Sequence, residues 1–204
     1  PVLYLGTHVQ VVTRKGVYPG VVVTNSGLEN KEKVNVDDLF IDMGFDSKEA
    51  CEEIVSIGDS VLAATDMVDL ADGKFAGRAL DDRIGAFIIL EALKKAKENH
   101  ATCGIYAATT CGEETTMRGA YHVSNLVKPS CALIVDVTFA SDYPGVSKDS
   151  SGDISLGKGA VLCHNSMINN RMNETLSEIA KEKNLPIQWE VFAGKAGRSE
   201  EHTS

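Results

Sequence analysis

The sequence lacks any apolar run near the ~20 residues needed to cross a bilayer, so no membrane-spanning helix and no membrane partner are predicted. It also lacks a basic stripe: 20 lysines and arginines face 29 acidic residues, for a formal net charge of -9. Nucleic acid is therefore not an expected partner. Repeats and low-complexity segments are absent as well. The excess of carboxylates suits cation binding and plain solubility equally.

Cysteines are few, and none forms a C-x-x-C motif. The odd count of five and the mostly apolar surroundings predict reduced, buried thiols and a cytoplasmic location. Only Cys111 lies where a catalytic thiol could act. It has no evident histidine partner, so a structural role is favoured. The five are Cys51, Cys103, Cys111, Cys131 and Cys163.

Residues 1–75 are predicted to form a β-rich domain. Short β-branched stretches such as "HVQVVT" and "YPGVVVT" alternate with Gly, Asn and Asp turns. The stretch "DSKEACEEIVS" is predicted to be a short helix with Ser47 as its N-cap. This pattern is typical of a small β-barrel or sandwich with one helix.

Residues 76–197 are predicted to form an α/β domain. The stretch "DDRIGAFIILEALKKAKENH" carries acids in its first turn and lysines at its end, which suits a helix dipole. "ATCGIYAATT" and "SCALIVDVTFA" are apolar enough to be buried strands, and helices are predicted between and after them. The alternation predicts an α/β fold with a mainly parallel sheet sandwiched by helices. With 204 residues, this domain plus a small insertion accounts for the whole chain.

Acidic residues follow three of these predicted elements. The groups are Asp81 with Asp82, Glu113 with Glu114, and Asp136 inside "LIVDVT". In open α/β sheets the ligand crevice lies beyond the carboxyl ends of the strands, so these acids are expected to converge there. Two alternatives stay open. Asp136 could cap backbone N–H groups, and paired glutamates are common on exposed helices, as in Glu52–Glu53.

Crowded carboxylates repel one another unless a cation lies between them. Two divalent ions need a bridging carboxylate, terminal ligands, and a free acid that moves the proton of a water molecule. Successive side chains of an extended segment diverge, so Glu113 and Glu114 are expected to have different roles.

Four segments together resemble the M42 family of metallo-aminopeptidases, the glutamyl aminopeptidase, TET and so-called cellulase M group. They are "GRALDDRIGAF", "CGEETTMRGA", "ALIVDVTFASDYPG" and "LGKGAVLCHNS…IN". Residues 1–75, with "VNVDDLFIDMGFDSKEACEEIVSIGDSV", resemble the β-domain inserted in that family. The resemblance implies a zinc-peptidase-like fold, hydrolysis of N-terminal residues from peptides, and a homo-oligomer, a dodecamer in family members.

The resemblance also implies residue roles. Asp81 matches the carboxylate that bridges two metal ions, zinc or cobalt, while Glu114 and Asp136 match terminal ligands. Glu113 matches the general base. Asp82 matches a residue that follows an often cis peptide and orients the bridge. Related alternatives are a dinuclear deacylase or amidohydrolase and a catalytically dead assembly subunit.

The chain also departs from the family pattern. The family's H-x-D histidine and its late histidine ligand have no counterpart here, and "EETTMRGA" stands where "EEVGLRGA" is usual. His8, His100, His122 and His164 match no ligand position. The tail "RSEEHTS" resembles a translated sequencing adapter, so residues 198–204 are expected to be an artefact and the chain a fragment.

Overall fold

The computed structural model describes residues 2–24, 34–166 and 168–191. The chain divides into two compact units, Pro1–Leu80 and Asp81–Ser204. The tail at 198–204, for which an artefact is predicted, lies outside the described residues. So does the end of the predicted α/β domain at 192–197.

The strands of the first unit are β1 His8–Thr13, β2 Gly16–Thr24, β3 Leu39–Asp42, β4 Ser60–Ala63, β5 Val68–Asp69 and β6 Phe75–Ala76. Four of them form an antiparallel sheet in the order β3-β2-β1-β4. β1 and β2 form a hairpin in which Val12 pairs with Val17 and Thr13 with Gly16. A separate antiparallel pair, β5 with β6, follows along the chain. Within the described residues these strands do not close into the predicted barrel.

The helix predicted in this unit is confirmed as α1, Lys48–Glu52. The Ser47 side chain accepts a hydrogen bond from the Ala50 N–H at 3.2 Å, as an N-cap should. Short 3-10 turns occur at Val2–Tyr4, Val36–Asp38 and Ala71–Gly73.

The buried face of this sheet is marked by alternation along β1. Val9 and Val11 are buried, while the residues between and after them point to the opposite face. Val22 of β2 and Val34 are buried as well. A small valine cluster therefore provides the core of the first unit.

Val11→Ala is expected to destabilise the first unit by about 2 kcal/mol, because it removes two buried methyl groups and leaves a cavity. Val11 is 2% exposed, whereas its neighbour Val12, on the opposite face, is 37% exposed. Val12→Ala is the matched control and should cost less than about 1 kcal/mol. Urea denaturation followed by far-UV circular dichroism measures both. Equal costs for the two variants would refute the assigned strand register.

The second unit begins at α2, which spans Leu80–Glu98 and carries Lys95 and Lys97 in its last turn. None of the helices in the described ranges is long and apolar enough to cross a membrane. Two strands, β7 and β8, pair in parallel from Ala160↔Ile187 to His164↔Val191. The remaining bounds are α3 Glu113–Thr116, α4 Arg118–Val127, α5 Lys148–Ser151, β7 Ala160–His164, α6 Asn170–Glu182 and β8 Ile187–Val191.

Helix α6 packs on the β7–β8 pair through a side-chain hydrogen bond. Asn173 lies on the buried side of α6, and its amide Nδ2 donates to the carbonyl of Cys163 at 2.7 Å. Asn169 caps α6 by accepting from the Met172 N–H at 3.3 Å. The late helix and the last strand that the sequence predicts are thus both present, and the fold is a mixed α/β one.

Two predicted strands are absent. Residues 104–110 and 131–140 pair with no other strand in the described parts of the chain. Their apolar side chains are not buried either: Tyr106 is 72% exposed and Ile134 is 88% exposed. A strand that is apolar on both faces needs neighbours on both edges and layers on both faces. Of the predicted parallel sheet, only the β7–β8 pair is present among the described residues.

The five cysteines are all free, as predicted, but the prediction that they are buried is wrong. Cys103, Cys111 and Cys131 are exposed because the apolar segments that carry them are uncovered. Cys163 is half-buried, and burial, with a smaller contribution from the charge of Glu190, raises the pKa of its thiol. A raised pKa keeps this thiol protonated and weakly nucleophilic at neutral pH.

Candidate active site

Asp81 and Asp82 lie where α2 begins. The peptide bond between them is cis, as the family resemblance led us to expect. Both residues have non-helical backbone angles, with φ/ψ of -84°/107° for Asp81 and -117°/50° for Asp82. Asp82 acts as a cap, since its Oδ1 accepts from the Gly85 N–H at 2.9 Å. The hydrogen bond fixes the Asp82 carboxylate over the N-terminal end of α2.

Gly85 makes this capping possible. It is the buried residue of α2, and a Cβ at this position would collide with the Asp82 carboxylate, 2.6 Å from its Cγ. The Asp82 carboxylate therefore lies so close to the Gly85 Cα that this residue can carry only hydrogen atoms there. The positive end of the α2 dipole also attracts the negative charge of this carboxylate.

Glu113 and Glu114 lie on the short helix α3, not on the extended segment predicted for them. Gly112 precedes them with φ 74°, and its carbonyl accepts from the Met117 N–H at 2.8 Å. Successive residues of a helix point about 100° apart, so the two side chains still diverge. Their surroundings differ, since Glu113 is half-buried and Glu114 is exposed.

The turn that carries the glutamates is held closed by Gly119. Its N–H donates to the carbonyl of Cys111 at 3.1 Å. A Cβ on Gly119 would lie 2.6 Å from the same carbonyl oxygen, which is closer than real contacts allow. α4 can therefore begin directly against the end of the preceding segment, which places both glutamates at that end.

Asp136 lies in the segment 131–140, which has no regular secondary structure, and is exposed. Its Oδ1 accepts from the neighbouring Val137 N–H at 2.7 Å. The prediction that its neighbours are core residues is wrong, because Leu133 and Ile134 are exposed. The alternative role as a local backbone cap is the one that the geometry displays.

The candidate acids do not form a metal centre in the part of the chain that the structure describes. No group of three or more His, Cys, Asp or Glu side chains there could hold a metal ion. The described histidines do not complete a metal-binding group with these acids. His8 lies in β1, His122 in α4 and His164 at the end of β7. Asp81, Asp82, Glu113 and Glu114 each make further interactions within the protein, so none of them is free.

A set of hydrogen bonds joins β8 to the segment after Asp136, and the sequence did not predict it. Thr138 Oγ1 donates to both carboxylate oxygens of Glu190 at 2.9 Å. Gln188 bonds the backbone of Ser155 and Gly159. The available signal was the polar pair two residues apart in "PIQWEV", which places both side chains on one face of a strand.

The chain as a whole matches one known protein family. A family model described as M42 glutamyl aminopeptidase matches residues 1–201. The chain belongs to the M42 family. The match includes every acid discussed above, so the M42 resemblance of the separate motifs is confirmed over the length of the sequence.

Three M42 relatives illustrate the relationship. The lysyl aminopeptidase of Pyrococcus furiosus is 30% identical over 93% of this chain and 56% of its own length. The TET aminopeptidase from the marine sediment archaeon Thaumarchaeota archaeon SCGC AB-539-E09 is 31% identical with a TM-score of 0.85, covering 97% of this chain and 58% of that one. A Pyrococcus horikoshii TET peptidase, able to assemble into a tetrahedron or a large octahedral shell, is 30% identical with a TM-score of 0.78, covering 97% of this chain and 60% of that one.

The chain thus spans a little over half the length of the curated M42 relatives that it matches. Its likeness to the solved M42 structures extends over nearly all of its own residues. The candidate acids lie within residues 1–201, which match the family model. The activity of the whole protein is therefore proposed below.

Proposed function

We propose that the full-length protein is a metal-dependent aminopeptidase that removes N-terminal residues from peptides. The observation that carries this proposal is the M42 family match across residues 1–201. The likeness to a lysyl aminopeptidase and to TET aminopeptidases supports it further. One feature of the described residues agrees with it: the adjacent Glu113 and Glu114 lie in different surroundings, one half-buried and one exposed.

Within this proposal Glu113 is the general base. Its half-buried carboxylate, at the start of α3, would take a proton from the attacking water and return it to the leaving amine. Asp82, fixed by the Gly85 N–H, keeps the preceding residue in position. Asp81, Glu114 and Asp136 are proposed as ligands of two divalent ions, zinc or cobalt, which when bound would polarise the substrate carbonyl.

The described side chains do not by themselves make that metal group, so the full ligand set is proposed only for the full-length protein. The same holds for the remaining family features. The second unit is proposed to complete a mainly parallel sheet, and residues 1–75 to be the inserted β-domain. The protein is also proposed to form a homo-oligomer, a dodecamer, because TET relatives form such assemblies. Its proposed location is the cytoplasm.

A substrate panel tests the proposal. Purified full-length protein is expected to hydrolyse aminoacyl p-nitroanilides with a free amine and to leave N-acetylated amino acids intact. A chelator should reduce the rate at least about 100-fold, and added zinc or cobalt should restore it, because the ions supply transition-state stabilisation. Cleavage of the N-acetylated compounds alone would favour a deacylase. No hydrolysis of either class, with no bound metal, would favour an assembly subunit.

A further inference from the structure

The segment 138–159, which follows Asp136, is hydrogen-bonded to strand β8 at both of its ends. At the start, Thr138 Oγ1 donates to the two Oε atoms of Glu190, 52 residues away in sequence. At the far end, Gln188 Oε1 accepts from the Ser155 N–H at 2.8 Å, and its Nε2 donates to the carbonyls of Ser155 and Gly159, each at 3.1 Å. We call these contacts of Gln188 and Glu190 the β8 anchor.

The segment between these ends is closed on itself around Ser141, which is 3% exposed. The Ser141 N–H donates to the carbonyl of Ile154 at 2.7 Å, and its Oγ donates to the carbonyl of Gly152 at 2.6 Å. The Ile154 N–H donates back to Ser141 Oγ at 3.0 Å. Residues 138–159 therefore form one hydrogen-bonded loop rather than a chain of independent turns.

The start of this loop is two residues from Asp136. Asp136 lies in a segment with no strand partner among the described residues, so sheet hydrogen bonds do not fix its backbone there. The bond from Thr138 to Glu190 is the next side-chain restraint along the chain. A hydrogen bond to an ionised carboxylate is stronger than a neutral one, and two acceptor oxygens share this one.

We propose that Glu190, through Thr138, is a positioning residue that fixes the backbone carrying Asp136. This inference rests on the proposed function in its assignment of Asp136 to the active site. Glu190 touches neither the reacting atoms nor Asp136 itself in this role. It restrains the residue two positions further on, while Gln188 restrains the other end of the loop.

Two pairs of variants of the full-length protein test the anchor. Thr138→Val and Glu190→Ala remove the donor and the acceptor, whereas Thr138→Ser and Glu190→Gln keep them. Glu178→Ala, which removes an exposed glutamate of α6, is the matched control. Hydrogen exchange, followed by mass spectrometry of peptides covering residues 136–142, reports the backbone directly and requires no activity.

Thr138→Val and Glu190→Ala are each expected to raise exchange in that peptide about tenfold, the loss expected for one charge-assisted hydrogen bond. The double variant should be no worse than either single one, because both remove the same bond. The kcat on an aminoacyl p-nitroanilide should fall about tenfold or more with KM little changed. Thr138→Ser and Glu190→Gln should restore most of both readouts.

Unchanged exchange in Thr138→Val would overturn the anchor. Raised exchange with an unaltered kcat would overturn its positioning role. If wild-type protein hydrolysed no aminoacyl substrate, the proposed function would fail, and the exchange data alone would then support or refute the restraint on residues 136–142.

Discussion

Replacing Glu113 by glutamine in the full-length protein is expected to lower kcat for aminopeptidase activity by about 10²- to 10⁴-fold. The glutamine amide has the same shape as the carboxylate but cannot accept a proton at neutral pH. Because the side chain keeps its size, the turn built by Gly112 and Gly119 should be unaffected. Steady-state hydrolysis of an aminoacyl p-nitroanilide measures the loss.

The chain offers a matched control in another adjacent glutamate pair, Glu52–Glu53. Glu53 is exposed at the end of α1 in the first unit, and Glu53→Gln should leave kcat within about twofold of wild type. A further comparison separates the two members of the site pair. Glu114→Gln should lower bound metal measured by mass spectrometry, whereas Glu113→Gln should not. Wild-type rates in Glu113→Gln would eliminate Glu113 as the base.

Gly159→Ala is expected to destabilise the second unit by about 2–5 kcal/mol, the sum of backbone strain and overpacking. Gly159 has φ 108°, a conformation that residues with a side chain rarely adopt. An added Cβ would also collide with the carbonyl group of Pro186 and lie 2.9 Å from the Cβ of Pro186. Relief would require β7 and β8 to separate where Ala160 pairs with Ile187.

Gly157→Ala is the control for this variant. Gly157 also has a positive φ, 78°, but a Cβ there meets nothing within 4 Å. Only the backbone cost of about 1–2 kcal/mol is then expected. The single tryptophan of this 204-residue chain, Trp189, lies in β8, so its fluorescence during urea denaturation reports the affected strand pair. Equal shifts for the two variants would refute the steric argument.

Local signals predicted the longer helices, but not the four-residue helices α3 and α5. Ser47 as a cap, acids at the start of α2 with lysines at its end, and the pattern of α6 each depend on residues within a few positions of one another. The same is true of the motif containing Asp81 and Asp82, whose family resemblance the match over residues 1–201 confirms. Such features depend on local sequence and not on how distant parts of the chain pack.

The candidate site was predicted only in part. Its residues and the divergence of Glu113 from Glu114 came from the sequence, but the helical turn that produces the divergence did not. Glycines set that turn, and their effect depends on a close approach of Gly119 to Cys111 across several residues. The convergence of three acids remains a prediction, because it depends on packing that local patterns do not encode.

The sequence by itself determined the family, the longer helices and the identity of the candidate acids, because these depend on residue types and short-range spacing. Tertiary structure alone decided which apolar segments become strands and which polar groups meet. Residues 131–140 have strong β-forming composition, yet a strand exists only when another strand accepts its hydrogen bonds. Thr138 and Glu190 meet across 52 positions, a distance over which no pattern in the sequence specifies contact.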